Sequence, residues 1–285
     1  MGELDRRLHA YRDDLAAKSL EGRVTAPRFV EGVEQQVTIG LASLRRTPSE
    51  LSRQDTEVLF GETVTAYESR DGWAWVQLQK DGYVGYLLSS ALGPALTPTH
   101  KVTAERTFLY SEPDIKSPTA AALSLGSLLT VTDTLGDLMK LARGGYVAAR
   151  HVSPIDRFAS DFVAVAERLV GIPYLWGGRS TKGFDCSGLL QLSMHAAGLD
   201  CPRDSDMQGA TLGIKLAKDV PLRRGDLVFW PGHAGMMVDA TRLLHCNGYH
   251  METVIEPLAE AVARIAGTGT LVSGVRRLPA LGRNQ

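Results

Sequence analysis

One cysteine at a predicted helix start and two histidines on predicted strands are the residues in this chain suited to covalent chemistry. Cys186 stands in Phe184-Asp185-Cys186-Ser187-Gly188, after the lead-in Pro173-Tyr174-Leu175-Trp176-Gly177-Gly178. Leu189, Leu192 and Ala196 follow at helical spacing and Gly198 supplies a stop. This spacing puts Cys186 in the first turn of a helix. A thiol there meets unpaired backbone N–H groups and the positive end of the helix dipole, and both favour the thiolate. A thiolate nucleophile needs a base within hydrogen-bond reach and a group that orients the base.

The chain has seven histidines. His9, His100 and His151 lie outside the C-terminal region. His195, nine residues after Cys186, sits about 13 Å further along the same helix axis and cannot touch the thiol. His233 opens the apolar strand His-Ala-Gly-Met-Met-Val, and His245 follows Leu243-Leu244 on the next one. Antiparallel pairing of 233–238 with 242–247 sets the two histidines near one another at one end. One imidazole then takes the thiol proton and the other holds the first ring in its tautomer. His250, beyond Asn247-Gly248, falls outside this set. A zinc site built from Cys186, His233, His245 and Cys246 is disfavoured, because the adjacent His245 and Cys246 point to opposite faces of a regular strand. Neither Cys-x-x-Cys nor His-Glu-x-x-His occurs, and no phosphate-cradling glycine loop is present. No metal and no cofactor is expected.

Composition sets the bounds. The 285 residues suit two or three domains, and 44% hydrophobic with 22% charged residues describes a globular protein. A formal net charge of -1 predicts no bulk attraction to nucleic acid or to an anionic membrane. No apolar run reaches the length of a membrane span. Three cysteines make no disulfide framework. The first 22 residues carry five acidic side chains and no apolar segment, unlike a secretory signal. A cytoplasmic protein, monomeric or weakly homo-oligomeric, with a free thiol in a reducing compartment is expected.

The elements that must position these groups read as follows. Residues 3–18 carry Leu4, Leu8, Tyr11 and Leu15 at the spacing of a short helix. From about 37 to 153 short alternating segments broken by Gly, Asp and Pro predict strands. They hide an approximate repeat. Pro48 to Gly61 and Pro113 to Gly126 each span 13 residues, and the offset between copies is 65 at the start and 63 at the end. Two small barrels of about five short strands follow, with Trp73, Trp75, Leu138 and Leu141 as core or rim. After Ser153-Pro154 the period changes. Residues 160–170 predict a helix capped by Ser160 or Asp161 and ended by Gly171. The Cys186 helix comes next, then a polar loop, CPRDSDMQGATLG, and a tight turn at Arg224-Gly225-Asp226. Strands are predicted at 227–230, 234–238, 242–247 and 272–278. Helices before antiparallel strands make an α+β domain. The predicted division is a helix or arm with a first strand at 1–35, barrels at 36–97 and 98–155, and the α+β domain at 156–285.

The ordered pieces Pro173–Gly178, Phe184–Gly188, Leu222–Phe229, His233–Met236 and Leu244–Asn247 resemble the NlpC/P60 cysteine peptidases, papain-like enzymes that cut cell-wall peptides. The paired barrels resemble bacterial SH3 modules. The combination is similar to the dipeptidyl-peptidase VI subgroup, or γ-D-glutamyl-L-diamino-acid endopeptidases. The resemblance implies Cys186 as nucleophile, His233 as base and His245 as the orienting group. It implies that Tyr174 lines the site and that Asp185 and Ser187 shape the pocket. It implies that Ser205 and Asp206 hold a free α-amino group, that Tyr83 of the first barrel closes the same pocket, and that Glu57 faces the amine. The implied substrate is a small peptidoglycan stem peptide, L-Ala-γ-D-Glu-diamino acid with meso-diaminopimelate or L-lysine, cut after the γ-carboxyl during recycling. A non-catalytic wall-peptide binder and an amidase or acyltransferase on the same scaffold are the rival classes.

Overall fold

The computed structural model describes residues 4–279, which fall into two compact units that divide at Arg157/Phe158. Residues 1–3 and 280–285, part of the expected arm and α+β domain, lie outside the described residues. Among the described residues no helix is long and apolar enough to cross a membrane.

The first unit is all β. Its first sheet runs, in spatial order, 54–59, 41–45, 84–88, 73–78, 63–70, 33–37 and 92–94. The second half repeats that order. Strands 119–124, 106–110, 146–148, 138–141 and 131–135 form one sheet, and 128–129, 100–102 and 152–154 another. The strands starting at 41 and 54 recur at 106 and 119, a shift of 65 in both cases. Gly61 and Gly126, also 65 apart, turn at φ of +79° and +88°. The first core is built from Val37, Leu44, Val58, Val64, Val76, Tyr83 and Leu87. The second takes in Phe60 from the first copy beside Leu123, Leu129 and Val147.

The expected N-terminal helix does not form. Asp5 O accepts the Leu8 and His9 N–H groups, but the chain then turns back and Ala17 N–H donates to Ala10 O. The Asp5 carboxylate captures the Arg7 N–H at 2.9 Å, a local bond that competes with helix. Packing decides the outcome. Tyr11, Leu15, Ala16 and Leu20 close over Trp75, with Leu4 against them, and the Arg12 guanidinium lies 4.7 Å from the Trp75 ring centre. The apolar spacing marks the buried residues correctly but not their backbone.

The second unit wraps an antiparallel sheet around one buried helix. Spatial order in the sheet is 214–215, 274–277, 227–230, 233–237, 242–247 and 252–257. Helix α1 (Phe162–Glu167) is capped by Asp161, and Gly171 at φ +84° ends the turn after it. Helix α2 (Cys186–Ala196) is buried over Cys186–Met194, on all faces rather than one. It packs on α1 and on the 233–237 and 242–247 strands. Helix α3 (Ser205–Thr211) stands where a loop was expected, and α4 (Leu258–Ala266) where no element was predicted. Leu258, Ala261, Val262 and Ile265 of α4 pack on Val228, Trp230, Met237 and Leu243 of the sheet. The tight turn is present, with Gly225 at φ +85°. Asp226 behind it is buried and takes both arms of Arg277 at 2.7 Å, tying the last strand to the sheet.

Candidate functional site

Cys186 is the first residue of α2, and the residue before it makes the helix start possible. Asp185 caps the helix by accepting the Gly188 N–H at 2.7 Å, and its second oxygen accepts the Gly177 N–H at 2.9 Å. Arg203 grips the two oxygens at 3.0 and 2.7 Å and also donates to Ser187 Oγ at 2.8 Å. Arg203 is 1% exposed, so this is a buried, bidentate pair, and the two backbone N–H groups are further partners of the carboxylate. Gly188 is required by close approach: a Cβ there would stand 2.1 Å from Gly178 O. From α3, Gln208 Nε2 donates to Ser187 O at 3.0 Å and Pro202 O at 2.8 Å, fixing the same turn from the other side.

The thiol meets the start of the His233 strand. Cys186 Sγ lies 4.0 Å from Gly232 O, and the N–H groups of Ala234 and Ser187 are directed at the sulfur. The residues before and after His233 thus both touch the thiol. Across the sheet, Met236 pairs with Leu244 and Met237 with Leu243. That register brings His233 Nε2 to 2.8 Å from His245 Nδ1, with the rings edge to face. With Nε2 engaged, Nδ1 is the His233 nitrogen left for the thiol. His245 Nε2 lies 2.6 Å from Glu256 Oε1 and 3.1 Å from Asn247 Nδ2. Arg264 of α4 donates to both Glu256 oxygens, at 2.7 Å for Oε2.

Burial sets the charge state. It pushes the Cys186 thiol up to about 12, helped by the Asp185 carboxylate and opposed by the Ala234 N–H, Arg203 and the Ser187 N–H. Burial, with His245 and Arg264 adding to it, pushes His233 down to about 3. His245 is lowered by burial, while Glu256 pulls the other way. Burial thus favours a neutral thiol beside a neutral imidazole. Burial opposes the thiolate expected from the helix start, because the thiol has left water and the Asp185 cap is an anion beside it. What such an arrangement can do chemically is general-base catalysis, in which a neutral imidazole receives a thiol proton as sulfur bonds to a carbonyl carbon.

Of the other expected site residues, Tyr174 is half-buried and shares the field of the thiol; burial first, then the Cys186 charge, pushes its hydroxyl up to about 12. Asp185 and Ser187 belong to the Arg203 network. Ser205 and Asp206 stand in the first turn of α3, not in a loop, and Asp206 is exposed. Tyr83 sits in the core of the first sheet of the other unit, and Glu57 is buried on its strand 54–59. His245 and Cys246 do face opposite ways, since Cys246 Sγ donates to Phe184 O at 3.1 Å. Sequence reasoning missed Arg203, Glu256 and Arg264. The helical spacing of Leu258, Ala261, Val262 and Ile265 was a readable signal for the helix that carries Arg264.

The family model for the NlpC/P60 family matches residues 171–265, and that for the bacterial dipeptidyl-peptidase Sh3 domain matches residues 44–92. The chain is 28% identical over 216 residues to the gamma-D-glutamyl-L-lysine dipeptidyl-peptidase of Bacillus subtilis, covering 67% of this chain and 71% of that one. It is 27% identical over 232 residues to dipeptidyl-peptidase 6 of Lysinibacillus sphaericus, covering 73% and 85%. A crystal structure of an NlpC/P60 family protein from Bacillus cereus shares the fold, with a TM-score of 0.73 at 21% identity over 87% of this chain and 100% of that one. Residues 171–265 therefore form an NlpC/P60 family domain, that of a cysteine-type hydrolase, with an SH3-like domain N-terminal to it.

Proposed function

We propose that this hydrolase acts on peptidoglycan-related peptides and cuts between the γ-carboxyl of D-glutamate and an L-diamino acid, in peptides that begin with a free L-alanine. The observation that carries the reading is the Cys186 thiol held between Gly232 and Ala234, with His233 between them backed by His245 at 2.8 Å. The name of the Bacillus subtilis relative, a gamma-D-glutamyl-L-lysine dipeptidyl-peptidase, supports the choice of bond.

In this reading Cys186, His233 and His245 are the catalytic residues. His233 Nδ1 accepts the thiol proton as sulfur adds to the γ-carbonyl. Backbone N–H groups at the start of α2, including that of Cys186, stabilise the oxyanion. The imidazolium then protonates the departing amine, and the same ring activates water to release the acyl group. Asp206 and Ser205 recognise the substrate ammonium. An ammonium partner gives selectivity, because an acylated N-terminus carries no charge to pair with it. Residues 98–155, which repeat the strand order of the SH3-like domain, are proposed to be a second SH3-like module. Released stem peptides with free amines and three free thiols fit recycling in a reducing cytoplasm, which cell fractionation tests.

The test is incubation with L-Ala-γ-D-Glu-L-Lys and its meso-diaminopimelate counterpart, read by mass spectrometry. Formation of L-Ala-D-Glu by the wild type and its loss in folded Cys186→Ala support the reading. No dipeptide from either peptide overturns it. Equal rates on free and N-acetylated peptides overturn the amine selectivity alone.

A further inference from the structure

We propose that Glu256, held by Arg264, is a positioning residue that dictates which nitrogen of each active-site histidine carries the proton. The proposal rests on His233 as the base, the reading above.

The argument is one of donors and acceptors. Glu256 is nearly buried, and Arg264 donates to both of its oxygens. Burial opposes its ionisation, but the bonds from Arg264 and His245 hold the carboxyl down at about 2, so it is a carboxylate and only accepts. Its Oε1 stands 2.6 Å from His245 Nε2, which must therefore carry hydrogen. In a neutral ring that leaves His245 Nδ1 as the acceptor. His233 Nε2, 2.8 Å away, must then be the donor. The lone pair of His233 is left on Nδ1, the nitrogen a thiol proton needs. One carboxylate at the sheet edge sets the polarity of the whole chain of bonds.

A competing contact tests the logic. Asn247 Oδ1 accepts the N–H groups of Tyr249 at 3.1 Å and His250 at 2.9 Å, so its amide nitrogen faces His245 Nε2, at 3.1 Å. If that amide donated to Nε2, the chain would reverse and His233 Nδ1 would carry hydrogen, useless as a base. The charge-assisted bond at 2.6 Å is the stronger of the two and decides the tautomer. The groups facing His245 are His233 from the neighbouring strand, Glu256 from the edge strand, Arg264 from α4, and His250 beyond its own strand. Glu256 is faced by His245 and Arg264. Arg264 is itself seated over the Tyr249 ring at 4.5 Å, near Glu260.

The experiment has two independent arms. Imidazole 15N spectra of the full-length wild type near pH 7 should show hydrogen on Nε2 of both rings; hydrogen on His245 Nδ1 overturns the proposal whatever the enzyme cuts. Steady-state kinetics on the tripeptide that the wild type cuts form the second arm. Glu256→Gln should lower kcat by about tenfold or more with KM changed by less than about threefold. Its acid limb in the kcat/KM profile should move to lower pH, because an anion that favours imidazolium is gone. Arg264→Lys should retain more activity than Arg264→Met. A folded Glu256→Gln with kcat within about twofold of wild type and an unmoved limb overturns the proposal. A wild type that cuts neither tripeptide refutes the proposed function and leaves the tautomer result to stand or fall alone.

Discussion

Gly235 lies against His245 on the neighbouring strand: a Cβ at 235 would stand 3.1 Å from His245 Cβ and 2.9 Å from Leu243 Cδ1. The absent side chain is what lets the two histidine strands approach with His245 turned toward His233. Substituting Gly235 by Ala forces a shift in a packed layer, which costs about 1–3 kcal/mol. Urea denaturation should show this loss. The activity of the folded fraction should fall too, since the 2.8 Å imidazole contact depends on the same spacing. Unchanged stability and rate would mean that the strands have room to spare.

Arg203 is the cation that Asp185 pairs with at the helix start, and its removal leaves a buried carboxylate without that partner. Breaking such a pair from one side costs about 3–5 kcal/mol. Arg203→Met should be destabilised by that order in a denaturant titration. Lysine should rescue little, because an ammonium cannot reach both carboxylate oxygens and Ser187 Oγ at once. Loss of activity should accompany loss of the fold in both variants.

How far the sequence could be read follows from the range of the interactions involved. The Cys186 helix, its Gly198 stop, the His233 and His245 strands and the repeat with its offset of 65 are written in local spacing, and the structure has them at those places. The pairing of the two histidines was legible because a short connection between strands restricts register. The roles of Arg203 and Glu256 were not legible, since each acts on a residue of another element, and for Arg264 the apolar spacing showed its helix but not its partner. The stretch 201–213 looked polar enough for a loop, yet it buries Met207 and Gln208 and its middle folds as α3. The N-terminal spacing of Leu4, Leu8, Tyr11 and Leu15 was helical by count, but Trp75 rewards an irregular path. The charge state of the thiol depends on three-dimensional burial, which a helix position alone does not supply.

Two buried neutral imidazoles make stability depend on pH. His233, lowered to about 3 by burial from 6.5, binds its proton more weakly folded than unfolded. The unfolded chain then holds more protons between those values, so stability is full above about pH 6.5 and falls as pH drops, by at most about 1.4 kcal/mol per pH unit per ring. His245 acts in the same direction. Glu256 adds its own loss at lower pH, between 4.5 and about 2, as its carboxylate is protonated. Urea midpoints should fall from about pH 7.5 to about pH 5, and His233→Asn should flatten that decline. A wild type equally stable at both pH values would contradict a neutral His233.

The thiol itself gives the most direct check on the resting state. With Cys186 pushed up to about 12 and His233 down to about 3, the thiolate fraction in the free protein is small near neutrality. The rate of Cys186 alkylation by iodoacetamide should rise about tenfold per pH unit between about pH 7 and 9, tracking that fraction. Cys246, also pushed up to about 12 by burial and donating to Phe184 O, should react more slowly still, and peptide mapping separates the two. A rate that is already high and flat below about pH 7 would reveal a standing thiolate–imidazolium pair. In that case the helix terminus and the imidazolium together outweigh burial, and the proton transfer precedes substrate binding instead of accompanying the attack.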